Sequence, residues 1–233
     1  MCFSKTQSYV MFLSCILTAS INIYYKASWK LYVPMFFLSI KELIQAESYK
    51  VVDKCDSKYN KFLTILSWFH ICFQPVFVNI FFSAFHKNPE VYDFTIKLCL
   101  VASIFLLSKL YVNNDNVYLR ACPYTNNSIN MCRKNHCTIS GEKHIAYGFY
   151  LREPNAFTPN IFLHMFLIFI PSLLLNNKIL SLFFLVTGPL LSSFILTNKN
   201  KNLGEIAAIW CNTSITMFLF SLIKLKYKNF LLT

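Results

Sequence analysis

The sequence predicts an all-α fold: a polytopic membrane bundle of about seven transmembrane helices with one cysteine-containing extramembrane loop. The first observation is composition. Of the 233 residues, 55% are hydrophobic and only 14% are charged, whereas soluble domains carry roughly a quarter charged residues. The second is that apolar stretches of about 20 residues, the length that crosses a hydrocarbon core of about 30 Å, recur along the chain. Together they favour one membrane domain spanning the whole chain.

The apolar stretches of this length are residues 9–25, 31–51, 62–85, 92–112, 158–175, 179–197 and 203–223. The second stretch is the weakest, because polar residues interrupt its later half. These residues are Lys41, Glu42, Gln45 and Glu47. A helix lying in the membrane interface is the alternative for this stretch. We favour a span, since residues 31–40 are strongly apolar and the polar residues lie towards one end.

One long polar connection, residues 113–157, is predicted to form an extramembrane module. It contains Cys122, Cys132 and Cys137, and the second loop, on the same side of the bundle, contains Cys55. Loop cysteines gathered on one face predict disulfides that tie the second loop to the long one, with the connectivity left open. A zinc site made from the cysteines and histidines of the loop is the alternative, although their spacing fits no standard zinc finger.

The orientation rests on these cysteines, because the lysines that flank the spans divide evenly between the two sides and the positive-inside rule is tied. Disulfides form in oxidising compartments. Asn126 also begins an Asn-Asn-Ser glycosylation sequon in the long loop. Both features favour a lumenal or extracellular N-terminus and long loop, and a cytosolic C-terminus.

The net charge of +12 does not indicate a nucleic-acid partner. The lysines lie in short runs between apolar stretches, where they flank membrane spans and meet anionic headgroups. No basic helix face or base-stacking motif accompanies them. The predicted partner is therefore the lipid bilayer, and nucleic acid is excluded.

Polar residues inside the predicted spans are the candidate functional residues, because ionisable groups in a bilayer cost several kcal/mol and usually face a bundle interior. Those that share one depth, the outer third to half of their helices, are Glu42, Gln45, His70, His164 and Glu205. Their agreement in depth predicts a polar pocket that opens towards the cysteine-bearing face.

Further polar residues extend or flank this pocket. Gln74 lies one helical turn from His70 on the same face, and Pro75 follows it, which predicts a kink. Lys41 lies close to the middle of its span and must find a partner or water. Asn79 lies on roughly the opposite face from His70 and is expected to bond a neighbouring helix.

The pocket admits more than one role. His70 and His164 with the carboxylate of Glu42 could ligate zinc, or one histidine could act as a general base oriented by the acid. The alternatives are interhelical hydrogen bonds alone, or a path for a ligand or ion.

Several of these residues also carry a resemblance to a known family. The segment Lys41-Glu-Leu-Ile-Gln-Ala46, then Cys55 and Asn60, then His70-Ile-Cys-Phe-Gln-Pro-Val-Phe-Val-Asn79, resembles an uncharacterised family of multi-pass membrane proteins found in large DNA viruses, bacteria and some eukaryotes. The resemblance implies no activity. It implies that the positions to test are Glu42, Gln45, His70, Gln74, Pro75, Asn79, His144 and His164.

The predicted function is an integral membrane protein with a polar intramembrane pocket that binds a small ligand or lipid. A metal-dependent membrane lipid hydrolase and a small-solute transporter are the alternatives. Seven spans with histidines, an acid and Ser67 resemble the ceramidase-like hydrolases, but those carry a His-x-x-x-His pair in the last span, where this chain has Glu205 and Ile209. An enzymatic activity is therefore not favoured.

Overall fold

The computed structural model describes residues 4–88, 90–110, 135–141, 144–151, 161–190 and 212–226. These residues form a mostly helical structure with one small antiparallel pair of strands. The predicted helical class is therefore confirmed, with the strands as an addition that the sequence did not predict.

Four long helices make up the first half of the chain: α1 (Lys5–Tyr24), α2 (Trp29–Ser48), α3 (Lys58–Ser83) and α4 (Glu90–Leu107). The first three begin after a serine, at Ser4, Ser28 and Ser57, whose hydroxyl accepts a hydrogen bond from a backbone N–H of the first turn. Such caps satisfy donors that have no partner within the helix. The helices therefore begin two to four residues before the apolar stretches that predicted them.

The helices of the second half are shorter in the described residues than the predicted spans. They are α5 (Ile161–Phe169), continued by a 3₁₀ turn over Ile170–Leu174, α6 (Lys178–Leu185), continued by a π-helical turn over Val186–Leu190, and α7 (Asn212–Lys226). Within the span predicted over 158–175, the α-helix gives way to 3₁₀ geometry near the end. Pro171 lacks the N–H that would continue an α-helix, so the last turn tightens into 3₁₀ geometry.

The long loop supplies a β-hairpin, β1 (Cys137–Ser140) paired antiparallel with β2 (Ile145–Gly148). Cys137 lies opposite Gly148, and Ser140 lies opposite Ile145. Every residue of β2 is buried, although the sheet has only two strands. The hairpin is therefore embedded in the helical body and is not a detached module.

Apolar side chains form a core at each end of the helices. The larger cluster includes Phe81, Phe82, Phe85, Tyr92 and Phe184, where α3 ends and α4 begins. A second cluster packs Trp68 and Ile71 of α3 against residues from the hairpin, namely Ile145, Tyr147 and Phe149. The hairpin thus closes one end of the helical body.

Polar contacts distinguish the two ends. At the hairpin end, the Glu47 carboxylate accepts hydrogen bonds from the Tyr9 and Tyr59 hydroxyls and forms an ion pair with Lys50. At the opposite end, the Lys224 ammonium donates to the Ala84 carbonyl and lies over the Phe85 ring. The Cys55 loop and the C-terminal helix end therefore lie at opposite ends, as alternating helix directions require.

Of the helices described, α1 and α3 are long and apolar enough to cross a membrane by length and composition, which alone is weak support for a membrane location. Charged residues interrupt α2 and α4: Lys41, Glu42 and Glu47 in the first, Glu90 and Asp93 in the second. The count of seven spans is therefore not established by the helices themselves and stays a prediction.

Candidate functional site

Polar side chains predicted to line a pocket are buried among the helices. Their exposed fractions are 1% for Glu42, 0% for Gln45, 2% for His70, 2% for Gln74 and 5% for His164. Glu42 and Gln45 lie three residues apart on α2, and His70 and Gln74 lie four apart on α3, so each pair shares a helix face. The described residues thus contain a buried polar region made by α2, α3 and α5.

His70 is held by α2 through its ring. Its Nε2 lies 2.8 Å from the Phe37 carbonyl oxygen, and its ring stacks on the Phe37 ring with the centroids 4.0 Å apart. The Phe37 ring in turn stacks on Phe77, with centroids 3.9 Å apart. Since a carbonyl oxygen only accepts, Nε2 is assigned as the donor, and in the neutral ring Nδ1 then carries a lone pair.

Lys41 lies beside this histidine, one helical turn from Phe37 on α2. It is 4% exposed, and its Nζ has no hydrogen-bond partner among the described residues. It interacts electrostatically with both His70 and His164. An amine buried in this way carries a large desolvation cost if it is protonated.

Glu47 differs from the other polar residues of α2. Its side chain is 22% exposed, and its bonds to Lys50 and the two tyrosines place it at the surface of the hairpin end. Of the polar residues that interrupt the second predicted span, three are thus buried and one forms a surface network.

Asn79 joins α3 to α5 through hydrogen bonds from its side chain. Its Nδ2 donates to the carbonyls of Pro75 and Leu167, at 2.8 and 2.9 Å. Pro171 has no N–H to offer the Leu167 carbonyl four residues earlier. The Asn79 side chain of α3 therefore bonds the Leu167 carbonyl of α5, which Pro171 leaves without its usual helical donor. The expected bond from Asn79 to a neighbouring helix is confirmed.

His144 lies at the hairpin end of the polar region. Its ring is 5.9 Å from that of Tyr49, and its Nδ1 is 3.1 Å from the Ile145 carbonyl. Tyr49 follows Gln45 by four residues at the end of α2, so the polar face of α2 leads towards the hairpin. The predicted opening of a pocket towards the cysteine-bearing face stays a prediction.

The hairpin is attached to the α2–α3 connection and the start of α3 by a disulfide and by hydrogen bonds. Cys55 and Cys137 form a disulfide, so the predicted link between the second loop and the long loop is seen for this pair. Asn60 donates to the Thr138 carbonyl at 3.0 Å and accepts from the Thr138 N–H at 2.8 Å. Asp53, at φ 64°, accepts from the Ser140 N–H at 2.8 Å.

Other predicted positions lie outside the described residues. They are Glu205, Cys122, Cys132 and Asn126. Among the residues that are described, no group of three His, Cys, Asp or Glu side chains is arranged to hold a metal ion. The zinc prediction for His70, His164 and Glu42 therefore gains no support from the geometry and stays a prediction.

The region offers both kinds of hydrogen-bonding capacity. His70 presents the lone pair of Nδ1, which has no hydrogen-bond partner in the described part of the chain, and Lys41 presents an amine. The predicted binding of a small ligand or lipid stays a prediction.

Comparison with known proteins identifies a family and no activity. No curated protein and no solved structure matches the sequence. The family described as "Family of unknown function (DUF5765)" matches residues 6–231. The match says nothing of a membrane or of host organisms, so those parts of the expected resemblance stay predictions. Since the match covers nearly the whole sequence, the chain belongs to this family of unknown function.

Proposed function

We propose that this chain is an integral membrane protein whose helices enclose a polar site for a small ligand or lipid. The observation that carries the proposal is an inverted distribution of polarity. Lysine, glutamate, glutamine and histidine side chains are buried between helices, while large apolar side chains cover the outside. Soluble proteins show the opposite arrangement.

The outer face of α4 illustrates the inversion. Phe94, Leu98, Val101 and Phe105 recur at helical spacing and are 73%, 46%, 66% and 46% exposed. The opposite face buries Tyr92, Cys99, Ser103 and Leu106. In water, such a face costs about 25 cal/mol for each Å² of apolar surface. In a bilayer the same face meets hydrocarbon, and the cost disappears.

The outer faces of α1 and α6 support the same reading. Leu13 and Leu17 of α1 are each 62% exposed, and Ile179 and Leu182 of α6 are 61% and 60% exposed. Exposed apolar faces on several helices exceed what a single docking site needs. Lipid contact around the molecule accounts for all of them with one partner.

The proposed sidedness is supported by the disulfide at one end. The Cys55–Cys137 bond joins the hairpin to the helices, and disulfides form in oxidising compartments. Lys224 and Lys226 lie in the last turn of α7 at the other end. The proposal therefore has the hairpin end lumenal or extracellular and the α7 end cytosolic.

Membrane extraction and thiol labelling test this proposal. Alkaline carbonate should leave the full chain in the membrane pellet, and its release would overturn the proposal. Single cysteines replacing the exposed residues Lys54 and Lys87 report on the two ends. In sealed cells, an impermeant thiol reagent should label the Lys54→Cys variant beyond the parent chain, and label the Lys87→Cys variant only after permeabilisation. The reverse pattern would overturn the orientation.

A further inference from the structure

We propose that Lys41 and His70 together bind one singly protonated phosphate monoester group. The inference deepens, and rests on, the polar intramembrane site proposed above. Its observations are two polar atoms, Lys41 Nζ and His70 Nδ1, which lie in buried side chains on facing helices and have no hydrogen-bond partner among the described residues.

Lys41 requires a partner that carries negative charge. A buried ammonium with no counter-ion costs several kcal/mol, more than a protein retains without compensation. Its three N–H donors point to a ligand with several acceptor oxygens. An oxyanion supplies both the charge and the acceptors.

His70 imposes a second and different requirement. Its Nε2 donates to the Phe37 carbonyl, so Nδ1 of the neutral ring is an acceptor. The ligand must therefore offer a donor to Nδ1 while it offers negative oxygen to Lys41. A carboxylate or a phosphate diester has no proton at neutral pH and meets only one of the two requirements.

A phosphate monoester meets both requirements. Its second ionisation lies near pH 6, so at pH 6 about half of it carries one P–OH donor beside two oxygens that share one negative charge. The P–OH donates to His70 Nδ1, and the remaining oxygens accept from Lys41. Binding of this form predicts an affinity that falls as pH rises from 6 to 8.

His70 is the group that selects a singly charged ligand. The titratable residues of the buried region are Lys41 and Glu42 from α2, His164 from α5, and His144 at the hairpin end of the polar face. Of these, Lys41 and His164 interact electrostatically with His70. Lys41 attracts a phosphate of either charge, so selection of the monoanion depends on His70 Nδ1, which requires the P–OH donor.

The position of the site leaves two sources for the phosphate. Lys41 lies seven residues before the end of α2, which is about 10 Å of helix at 1.5 Å per residue. This depth is within reach of a lipid headgroup such as phosphatidic acid, and of free phosphate that enters from the hairpin end. The chemistry is the same, and the experiment separates the sources.

The experiment uses the full chain in phosphatidylcholine nanodiscs. Titration with inorganic phosphate at pH 6 and pH 8 is measured by calorimetry, and lipid binding by native mass spectrometry with phosphatidic acid or with the diester phosphatidylglycerol. We expect phosphatidic acid, inorganic phosphate or both to bind at least about fivefold more tightly at pH 6 than at pH 8, because the singly protonated fraction falls over this range. Phosphatidic acid alone would identify the lipid source, and binding of both would identify the phosphate group itself.

Matched variants locate the binding. Lys41→Met should abolish binding. Lys54→Met, at an exposed lysine in the connection that follows α2, should leave binding unchanged. In His70→Gln, the side-chain N–H can donate either to the Phe37 carbonyl or to a fully deprotonated phosphate oxygen. This variant should therefore bind more weakly and lose the pH dependence. Thermal unfolding and retention of the Cys55–Cys137 disulfide verify that each variant is folded.

Two results would overturn the inference while leaving the membrane proposal intact. One is equal binding by Lys41→Met and Lys54→Met in folded, membrane-embedded protein. The other is binding of phosphatidylglycerol as tight as that of phosphatidic acid. Release of the protein by alkaline carbonate would instead overturn the proposed function itself.

Discussion

Truncating Asn60 to alanine is predicted to loosen the β-hairpin from the helices. The Asn60 amide is fully buried and makes inter-segment bonds to the Val51 carbonyl at 2.6 Å, the Thr138 carbonyl at 3.0 Å and the Thr138 N–H at 2.8 Å. The Thr138 carbonyl also accepts from the Asp53 N–H, so it keeps one partner in the variant. The Val51 carbonyl likewise keeps its bond from the Lys54 N–H, whereas the Thr138 N–H loses its bond to Asn60.

The expected magnitude follows from these bonds. Each intramolecular hydrogen bond contributes about 1 kcal/mol net, so loss of the three lowers the free energy of unfolding by about 3 kcal/mol. For a chain of this size, about 1 kcal/mol shifts the unfolding midpoint by roughly 2–4 °C, which predicts a fall of about 6–12 °C. The Cys55–Cys137 disulfide keeps the hairpin nearby, so local exchange rises more than global structure is lost.

The assay combines thermal unfolding in detergent with hydrogen–deuterium exchange of the segment 137–148. Asn88→Ala is the control, because Asn88 is exposed and the contacts it makes are through its backbone. The variant Asn60→Ala should exchange faster across β1 and β2 than the control. A midpoint within about 2 °C of the control, with unchanged hairpin exchange, would refute the role assigned to Asn60.

Three further predictions address the disulfide, the helix junction and the lipid-facing surface. Cys55→Ser removes a cross-link of sequence separation 82 to Cys137. In the chain-entropy model this should lower the free energy of unfolding by about 4.5 kcal/mol, measured as a fall in the thermal midpoint. Asn79→Leu removes the bond to the Leu167 carbonyl and should cost about 1–2 kcal/mol in detergent unfolding. Val101→Lys places a charge on the outer face of α4 and should reduce membrane insertion, measured by carbonate extraction, since a central lysine costs roughly 3 kcal/mol.

Each of these predictions has a matched control. Cys137→Ser should reproduce the effect of Cys55→Ser, and unequal midpoints would argue against a bond between the two. Thr95→Val is the control for Asn79→Leu, because the Thr95 hydroxyl donates to the Val91 carbonyl within α4 and not to another helix. It should leave the free energy of unfolding unchanged. Glu90→Lys, at the first residue of α4, should insert into the membrane normally. If its insertion is reduced as much as that of Val101→Lys, the position of the lysine within the membrane does not explain the loss.

The helices of the first half could be predicted from the sequence because apolar stretches of span length are a local signal. The starts of α1 to α3 were set by Ser4, Ser28 and Ser57, which lie in polar sequence before the apolar stretches. Their capping bonds depend on backbone geometry that hydropathy does not register. Pro171 is visible in the sequence, but the sequence alone does not specify whether a helix kinks, ends or tightens into 3₁₀ geometry at a proline.

The buried polar face could be predicted in part. Glu42, Gln45, His70 and His164 are buried as their depths suggested, because polar residues in apolar helices must face other protein. Glu47 shares the same helix but lies at its end, where Tyr9 and Lys50 reach it from outside. The difference depends on packing between α1 and α2, which the sequence of α2 alone does not contain.

The attachment of the hairpin could not be predicted beyond its cysteines. Cys55 was expected to pair with the long loop, but several connectivities were open. The bonds from Asn60, Asp53 and Thr64 join residues more than 70 positions apart. Such contacts follow from the docked backbone of β1, whose position no local pattern specifies.

Val101 is the position at which a surrounding bilayer can be detected with the least ambiguity, because it lies on the exposed apolar face of α4. A spin label on Val101→Cys, in the full chain reconstituted in lipid, reports the solvent of this face through its collisions with oxygen and with a water-soluble nickel chelate. We expect high accessibility to oxygen and low accessibility to the chelate, with the reverse for a label at Lys54→Cys. High accessibility to the chelate at Val101 would show that this face lies in water, and the membrane proposal would then be wrong.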